Sequence, residues 1–268
     1  MPRRRRRNFT RVPSKKVSFA YKKSIKRAVA VEVAKGRENK YAARVVKPTN
    51  IPAAIGLTQT VNLFPVMPEV GQGIGEYGAR IGNKIQPKYM HIRGWCTLDM
   101  TDADKDYDRV AVRIMVGFVK QYPLYLDSAN AVSASPLDNW TRRLLDGGAA
   151  PQGFTGSLDS FQSPVNRDVF TCKAQRRFTL MRPRIWDAPL TGDDFARSTA
   201  GSYKFFSIRV KCPHTLCYGQ AGDALPKNFS PTLVAGYTLL NGALPGDPAT
   251  SPKQVTISYT TRLSYEDA

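Results

Sequence analysis

"DRVAVRIMVGFVKQYP", residues 108–123, alternates apolar side chains with a period of two. In an extended chain this period places one set of side chains on the same face: Val110, Val112, Ile114, Val116 and Phe118. Most of these residues are β-branched, which favours a pleated strand, and Pro123 ends the pattern. The stretch therefore predicts a core β-strand.

Four other stretches carry a related pattern. Three of them predict single strands, namely KYMHIRGWCTLDM (88–100), SYKFFSIRVKCP (202–213) and KQVTISYTTRLSY (253–265). The fourth, RDVFTCKAQRRFTLMR (167–182), predicts one long strand or a hairpin. Only NWTRRLLDGG (139–148) predicts a helix, a short one that ends at its glycines. The sequence thus predicts an all-β fold.

Long segments separate the predicted strands: residues 48–79, 121–165, 187–200 and 218–252. Because the chain has 19 prolines and 20 glycines, these segments are expected to be structured loops. Long loops in a compact domain usually carry function or contact a partner, and the candidates for outward-facing loops are 121–165 and 218–252. We expect a two-sheet sandwich, and a jelly roll is the commonest fold with this profile.

The positive charge is concentrated at the start of the chain. Residues 1–47 hold 17 Lys and Arg against two Glu, a net charge of +15. The other 221 residues hold 23 basic and 19 acidic side chains, a net charge of +4. A block of like charges stays solvated and disordered until it meets an opposite charge. The chain is therefore predicted to divide into a basic arm, residues 1–47, and a folded domain, residues 48–268.

The arm has the composition of a nucleic-acid-binding segment. Each Lys or Arg that neutralises a phosphate releases a condensed counterion, which favours binding without reading bases. Three interleaved aromatic residues can stack on unpaired bases: Phe9, Phe19 and Tyr21. The cluster is also typical of a nuclear localisation signal. The predicted phosphate contacts of the arm are Arg3, Arg4, Arg5, Arg6, Arg7, Arg11, Lys15, Lys16, Lys22, Lys23, Lys26 and Arg27.

A second basic cluster precedes Trp186 and consists of Lys173, Arg176, Arg177, Arg182 and Arg184. Because side chains alternate along a strand, only a subset of these residues is expected on one face. The predicted nucleic-acid contacts in this cluster are Lys173, Arg176 and Arg177. A solvated outer face and ion pairs between subunits are the alternative roles.

The arginine-rich start and the stretch RIGNKIQPKYMHIRG (80–94) together resemble a family of viral capsid proteins. The family belongs to small circular single-stranded DNA viruses that encode a replication initiator, the circovirus-like viruses. The matching turn, Lys-rich entry and strand contain Gly82, Asn83, Lys84, Lys88, Ile92, Arg93 and Gly94. In that family a basic arm precedes a single jelly roll of eight strands. The present arm departs from the family in favouring lysine after residue 7.

The resemblance implies a coat protein that assembles with copies of itself around single-stranded circular DNA. About 60 arms in the simplest icosahedral shell would bring about 900 positive charges, comparable with the phosphates of a genome of about one to two kilobases. The implied further partners are host import receptors and a host cell-surface receptor. The implied locations are the virion and the host nucleus.

Two other classes of protein stay open at this point. A coat protein of a small RNA virus would carry a similar arm, because phosphates do not reveal their sugar. A cellular nucleic-acid-binding protein usually spreads its basic residues over the folded surface. The nearly balanced charge of residues 48–268 counts against the cellular protein.

Two loop motifs have weak functional signals. GIGEYG (73–78) matches G-x-G-x-x-G, but nearby prolines block the strand and helix that a dinucleotide site needs, so a loop is predicted. DMTDADKDYDR (99–109) concentrates Asp99, Asp102, Asp104, Asp106 and Asp108. It lacks the glycine and terminal glutamate of a calcium loop, so a polar turn is predicted, with a divalent ion shared between subunits as the alternative.

The cysteines and histidines give no complete site. Three residues are spaced to reach one zinc ion but lack a fourth ligand: Cys212, His214 and Cys217. Cys96 and Cys172 are predicted to pack as small apolar residues. No catalytic motif accompanies His91 or His214, so neither a cofactor nor enzyme activity is expected. No apolar run reaches 18 residues, so no membrane insertion is expected.

Overall fold

The computed structural model describes residues 24–26, 39–51, 62–73, 78–98, 109–134, 139–148, 150–181, 203–240 and 255–267. The chain forms two compact units, residues 1–38 and residues 39–268. In the first unit the described residues, 24–26, are helical. All elements below belong to the second unit.

The described part of the second unit is built mainly from strands. Its strands are β1 (Asn39–Ile51), β2 (Leu63–Pro65), β3 (Lys84–Leu98), β4 (Arg109–Val119), β5 (Leu145–Asp146), β6 (Pro151–Gln152), β7 (Phe170–Met181), β8 (Tyr203–Val210), β9 (Leu216–Cys217), β10 (Thr232–Leu239) and β11 (Val255–Asp267). Its helices are α1 (Tyr125–Ala134), α2 (Leu158–Gln162) and a 3-10 helix at Trp140–Arg143. The predicted strands correspond to β3, β4, β7, β8 and β11, and the segment predicted as a strand or a hairpin is the single strand β7.

The strands form two main antiparallel sheets. Sheet 1 has the order β1-β11-β3-β8, and β9 also pairs with β3. Sheet 2 has the order β2-β10-β4-β7. The short strands β5 and β6 pair with each other.

The main hydrophobic core lies between the two sheets. Ile92 and Ile257 of sheet 1 belong to the same buried cluster as Ile114 and Leu233 of sheet 2. Complete burial of one such side chain contributes about 1.5–3 kcal/mol. Sheet 1 and sheet 2 therefore pack as a sandwich, and the prediction of an all-β fold is confirmed.

A second hydrophobic cluster covers the outer face of sheet 2. Its centre is the ring of Trp140, which stacks on Phe170 with 6.1 Å between ring centroids. The indole Nε1 of Trp140 donates a hydrogen bond to the Ser128 carbonyl oxygen at 2.9 Å. Met115 of β4 and Val234 of β10 also belong to this cluster. The central strands β4 and β10 are therefore buried on both faces, which a period of two does not reveal.

Three boundaries differ from the sequence-based expectation. Strand β1 pairs along its length with β11, so the arm boundary predicted at residue 47 falls inside a strand and the folded unit begins at Asn39. Strand β10 lies in the segment predicted as the loop 218–252, because its continuous apolar run lacks alternation. The predicted helix at 139–148 is one 3-10 turn followed by β5, because Leu145 pairs with Gln152.

A buried arginine holds the loops at one end of the sandwich. The Nη1 atom of Arg80 donates to the Gly82 carbonyl at 2.6 Å, and its Nη2 donates to the carbonyls of Gln220 and Asp223, both at 2.9 Å. The guanidinium also lies over the Tyr218 ring, 4.2 Å from its centroid. The described part of the predicted GIGEYG loop, Gly73 and Gly78, is adjacent to these contacts. Arg80 thus has a structural role.

Candidate nucleic-acid interface

The predicted phosphate contacts of the arm lie outside the described residues, with one exception. Lys26 is exposed in the short helical segment at 24–26. Arg182 and Arg184 of the second basic cluster also lie outside the described part of the chain. The role predicted for the arm stays a prediction, and its support is the sequence.

The three described residues of the second basic cluster lie on β7, but their side chains do not all lie on one face of the strand. Arg176 lies toward sheet 1, where its Nε donates to the Ser207 carbonyl of β8 at 3.3 Å. Arg177 lies on the outer face of sheet 2, where its guanidinium covers the Phe161 ring at 5.6 Å. Lys173 occupies a β-bulge, because Val116 pairs with Ala174 and Gly117 pairs with Cys172. The alternation expected for β7 is therefore present, and its three described cations do not share one face.

A larger cationic surface lies on the outer face of sheet 1. Along β3 the inward side chains, such as Met90 and Ile92, are buried, and the outward side chains alternate with them. The outward residues of β3 are Tyr89, His91, Arg93, Trp95 and Thr97. This strand therefore presents two aromatic rings, a histidine and an arginine on one face.

The neighbouring strands extend this surface at matching positions. His91 pairs with Arg209 of β8 on one side and with Arg262 of β11 on the other. Two rows further along the same face, beyond the pair Arg93 and Ser207, Trp95 pairs with Phe205. Residues paired across strands share a face. We call this surface the arginine–aromatic face and define it by Tyr41, Tyr89, His91, Arg93, Trp95, Tyr203, Phe205, Arg209 and Arg262.

The rings and guanidinium groups of this face contact one another. Arg209 lies over the Tyr89 ring at 4.9 Å from its centroid, and Arg262 lies over the Tyr41 ring at 3.9 Å. Phe205 is 73% exposed and Trp95 is 41% exposed. Such exposure of large aromatic groups is unusual and marks an interaction surface. The cation–π contacts hold the guanidinium groups of Arg209 and Arg262 beside the two tyrosine rings.

The arginine–aromatic face carries a net positive charge. The four strand segments that form it, residues 41–47, 89–97, 203–211 and 256–264, contain no Asp or Glu. The Nε2 atom of His91 is 2.7 Å from the Ser207 Oγ. Burial lowers the pKa of His91, and the nearby Arg93 and Arg209 lower it further. His91 is therefore neutral at pH 7, and the arginines supply the charge.

This arrangement has the chemistry of a single-strand nucleic-acid surface. Aromatic faces stack on bases without selecting their sequence, and arginines contact phosphates and bases. The alternation in KYMHIRGWCTLDM already separated Tyr89, His91 and Arg93 from the core residues. Sequence reasoning missed the surface because Phe205 and Arg262 come from distant parts of the chain.

Within the described residues, the candidate zinc site has no supporting geometry. No group of three His, Cys, Asp or Glu side chains that could hold a metal ion occurs in the described part of the chain, which includes Cys212, His214 and Cys217. The segment Asp99–Asp108 lies outside it. Cys96 is buried in the main core, where burial raises the pKa of its thiol to about 12, and Cys172 packs beside the second cluster. The apolar packing predicted for both cysteines is confirmed.

Comparisons with known proteins assign no family. No family model matches the chain, and no curated protein matches it. Among the helices of the described residues, none has the length and apolar character needed to cross a bilayer.

Proposed function

We propose that this protein is a viral coat protein that assembles into a closed shell and packages single-stranded DNA. In this proposal the folded unit forms the wall, and the basic arm neutralises the nucleic acid. The observation that carries the proposal is the separation of charge: residues 1–47 have a net charge of +15, whereas the other 221 residues have a net charge of +4. Nearly neutral bodies can pack side by side without strong repulsion.

The strand order supports a jelly roll as the fold of the wall. For this comparison we number eight strands from one to eight in chain order: β1, β2, β3, β4, β7, β8, β10 and β11. The first pairs with the eighth and the third with the sixth in sheet 1, and the second pairs with the seventh and the fourth with the fifth in sheet 2. A strip of four such antiparallel pairs, rolled so that successive pairs alternate between sheets, is a jelly roll of two Greek keys.

The arginine–aromatic face supports a single-stranded cargo. Bases in a duplex are already stacked, whereas an unpaired strand offers free base faces to Trp95 and Phe205. In this proposal the face contacts unpaired bases of the cargo, and the arm neutralises its phosphates. The arm also supplies the proposed nuclear localisation signal. The role is one of binding and assembly and requires no catalytic group.

Removal of residues 1–27 tests the packaging role. The deletion removes 12 positive charges and no acidic residue. All described strands begin at or after Asn39, so the deletion leaves them intact. We expect particles of the deletion variant to have a lower ratio of absorbance at 260 nm to absorbance at 280 nm. Digestion of the extracted nucleic acid with DNase or RNase then identifies the cargo.

A variant with residues 1–27 in scrambled order is the matched control, because it keeps the 12 positive charges and leaves β1 intact. It should package as much nucleic acid as the natural chain, since phosphate neutralisation does not depend on sequence. Equal nucleic-acid content in the deletion variant would contradict the packaging role. A chain that stays a 29.7 kDa monomer would contradict assembly.

The face has its own test, which uses the fluorescence of Trp95. The chain has three tryptophans, so the test is made in a Trp186→Phe background that leaves Trp95 and Trp140. Trp140 is buried, so stacking of a base on the face should quench Trp95 and spare Trp140. We expect oligo(dT) to quench the Trp186→Phe protein and the additional substitution Trp95→Phe to remove this quenching. An unchanged quench in Trp95→Phe would remove the face from the interface.

A further inference from the structure

A cavity of about 800 Å³ opens on the outer face of sheet 2, on the opposite side of the sandwich from the arginine–aromatic face. Its floor is formed by β4 and β7, and its rim includes the segment between α2 and β7. Five of the lining residues are cations and none is a carboxylate. We call it the cationic cavity and define it by Arg113, Lys120, Arg167, Lys173 and Arg177.

Arg113 is a fixed buried charge beneath this cavity. Its side chain is 1% exposed, and its Nη1 donates to the carbonyls of Ser160 at 3.0 Å and Ser163 at 2.6 Å. Burial, together with a smaller effect of the neighbouring Arg177, lowers the pKa of Arg113 to about 10, so the group stays protonated at pH 7. Its Nε has no hydrogen-bond partner within the described residues. No carboxylate there compensates this charge.

The other four cations are exposed and are held by ordered backbone. The amide of Lys120 donates to the Val169 carbonyl at 2.9 Å, which ties the end of β4 to the rim. The turn that carries Arg167 is closed by the bond from the Asp168 amide to Asn166 Oδ1 at 3.0 Å. Lys173 is the extra residue of the β-bulge, a feature that re-aims a side chain. None of the four forms an ion pair with a carboxylate of the described chain.

We propose that the cationic cavity binds a chain of phosphate groups. Five like charges around one concave space focus a positive potential into it, and only a ligand with several negative charges can meet them together. The volume lies within the range of small-ligand sites and suits a group of the size of a nucleotide. Arginine and lysine donors suit the geometry of phosphate oxygens.

Phosphates of this kind have two sources, the backbone of the cargo strand and a soluble polyphosphate such as a nucleoside triphosphate. The site itself is independent of the proposed coat function, but its first source rests on that function. The two sources share the same chemistry. Because the cavity and the arginine–aromatic face lie on opposite sides of the sandwich, a strand enclosed by a shell reaches only one of them, and the experiment below separates the two sources.

The test is calorimetric titration of the full-length chain, freed of nucleic acid, with inorganic triphosphate at about 0.15 M salt. The natural chain should bind triphosphate, and the double variant Lys173→Gln/Arg177→Gln should bind it about tenfold more weakly or worse, because two charged donors are lost. The matched control is Lys84→Gln/Lys211→Gln, which removes the same charge from two exposed lysines outside both the cavity and the arginine–aromatic face. We expect the control to change the affinity less than about twofold, since the arm contributes equally to both variants.

Equal weakening in the two double variants would overturn the proposal, because the binding would then depend only on total charge. Stronger competition by a heparin-derived tetrasaccharide than by triphosphate would overturn the phosphate chemistry. If Lys173→Gln/Arg177→Gln fails to fold, Lys120→Gln/Arg167→Gln removes two exposed cations from the same cavity and carries the same expectations.

Particles of the cavity variant separate the sources. A lower nucleic-acid content than in natural particles assigns the cavity to the cargo backbone, whereas an unchanged content with lost triphosphate binding assigns it to a soluble polyphosphate. A chain that binds triphosphate at the cavity but forms no particles would retain this site and refute the coat function.

Discussion

Gly94 lies between Arg93 and Trp95 of the arginine–aromatic face, but its own position on β3 is on the inward side, where it pairs with the buried Tyr259 of β11. A Cβ added at Gly94 would collide with the Ser258 carbonyl oxygen and would lie 2.8 Å from the Tyr259 Cα. Both contacts involve the β11 backbone, which pairs with β1 on its other side. The glycine of the Ile-Arg-Gly stretch thus permits the close pairing that aligns the arginine and tryptophan of this face.

Substitution Gly94→Ala should destabilise the folded unit by about 1–3 kcal/mol, since a strand in the middle of a sheet cannot move aside freely. Gly71→Ala is the matched control, because nothing lies within 4 Å of a Cβ built at Gly71. Thermal unfolding of both variants at one protein concentration measures the difference. Equal melting temperatures for the two variants would show that β3 and β11 can separate without cost.

Strand β1 is the element that joins the arm to the sandwich. Ala42 and Ile51 of β1 are buried in the main core. Lys40 pairs with Asp267 of β11 at 2.6 Å, and Arg44 donates to the Met67 carbonyl at 3.3 Å. The residues after Glu38 that were assigned to the arm from the sequence therefore belong to the folded unit, where the side chains of Lys40 and Arg44 have partners.

Two truncations test whether the folded unit begins at Asn39, the first residue of β1. A chain that lacks residues 1–38 should keep the melting temperature of the natural protein within a few degrees, because it loses no described strand. A chain that lacks residues 1–51 exposes the edge of β11 and loses buried side chains. Its melting temperature should fall by about 10 °C or more. Circular dichroism during heating measures both, and a folded, equally stable chain after removal of residues 1–51 would contradict the role of β1.

At the scale of the whole molecule, the positive charge has three locations of different character. The arm holds many positive charges, and residues 1–27 contain no Asp or Glu. The arginine–aromatic face and the cationic cavity hold a few fixed charges each, on opposite sides of the sandwich. The arm is suited to neutralising phosphates in any arrangement. The face and the cavity instead present their charges at defined positions beside rings or a pocket.

Salt dependence should distinguish these contributions. For single strands the slope of log K against log salt is about −0.7 per neutralised phosphate, so removal of 12 charges with residues 1–27 should make the slope shallower by up to about 8. The double variant Arg93→Gln/Arg262→Gln should make it shallower by about 1.4 at most. Fluorescence anisotropy of labelled oligo(dT) at several salt concentrations gives the slopes. A slope that the deletion leaves unchanged would show that the arm does not neutralise the strand.

The sequence by itself determined the class of the fold and the place of the charge. A period of two depends only on neighbouring residues, so it correctly predicted β3, β4, β7, β8 and β11. The concentration of positive charge in residues 1–47 can likewise be read from the sequence alone. Strand β10 was missed because burial on both faces removes the alternation, and β1 because its basic residues resemble those before it. Only the tertiary structure brought Trp95 beside Phe205 and Arg262 beside His91, and gathered Arg113 and Lys173 around one cavity. Such contacts depend on strand order and register between residues 60 or more positions apart, which no local pattern encodes.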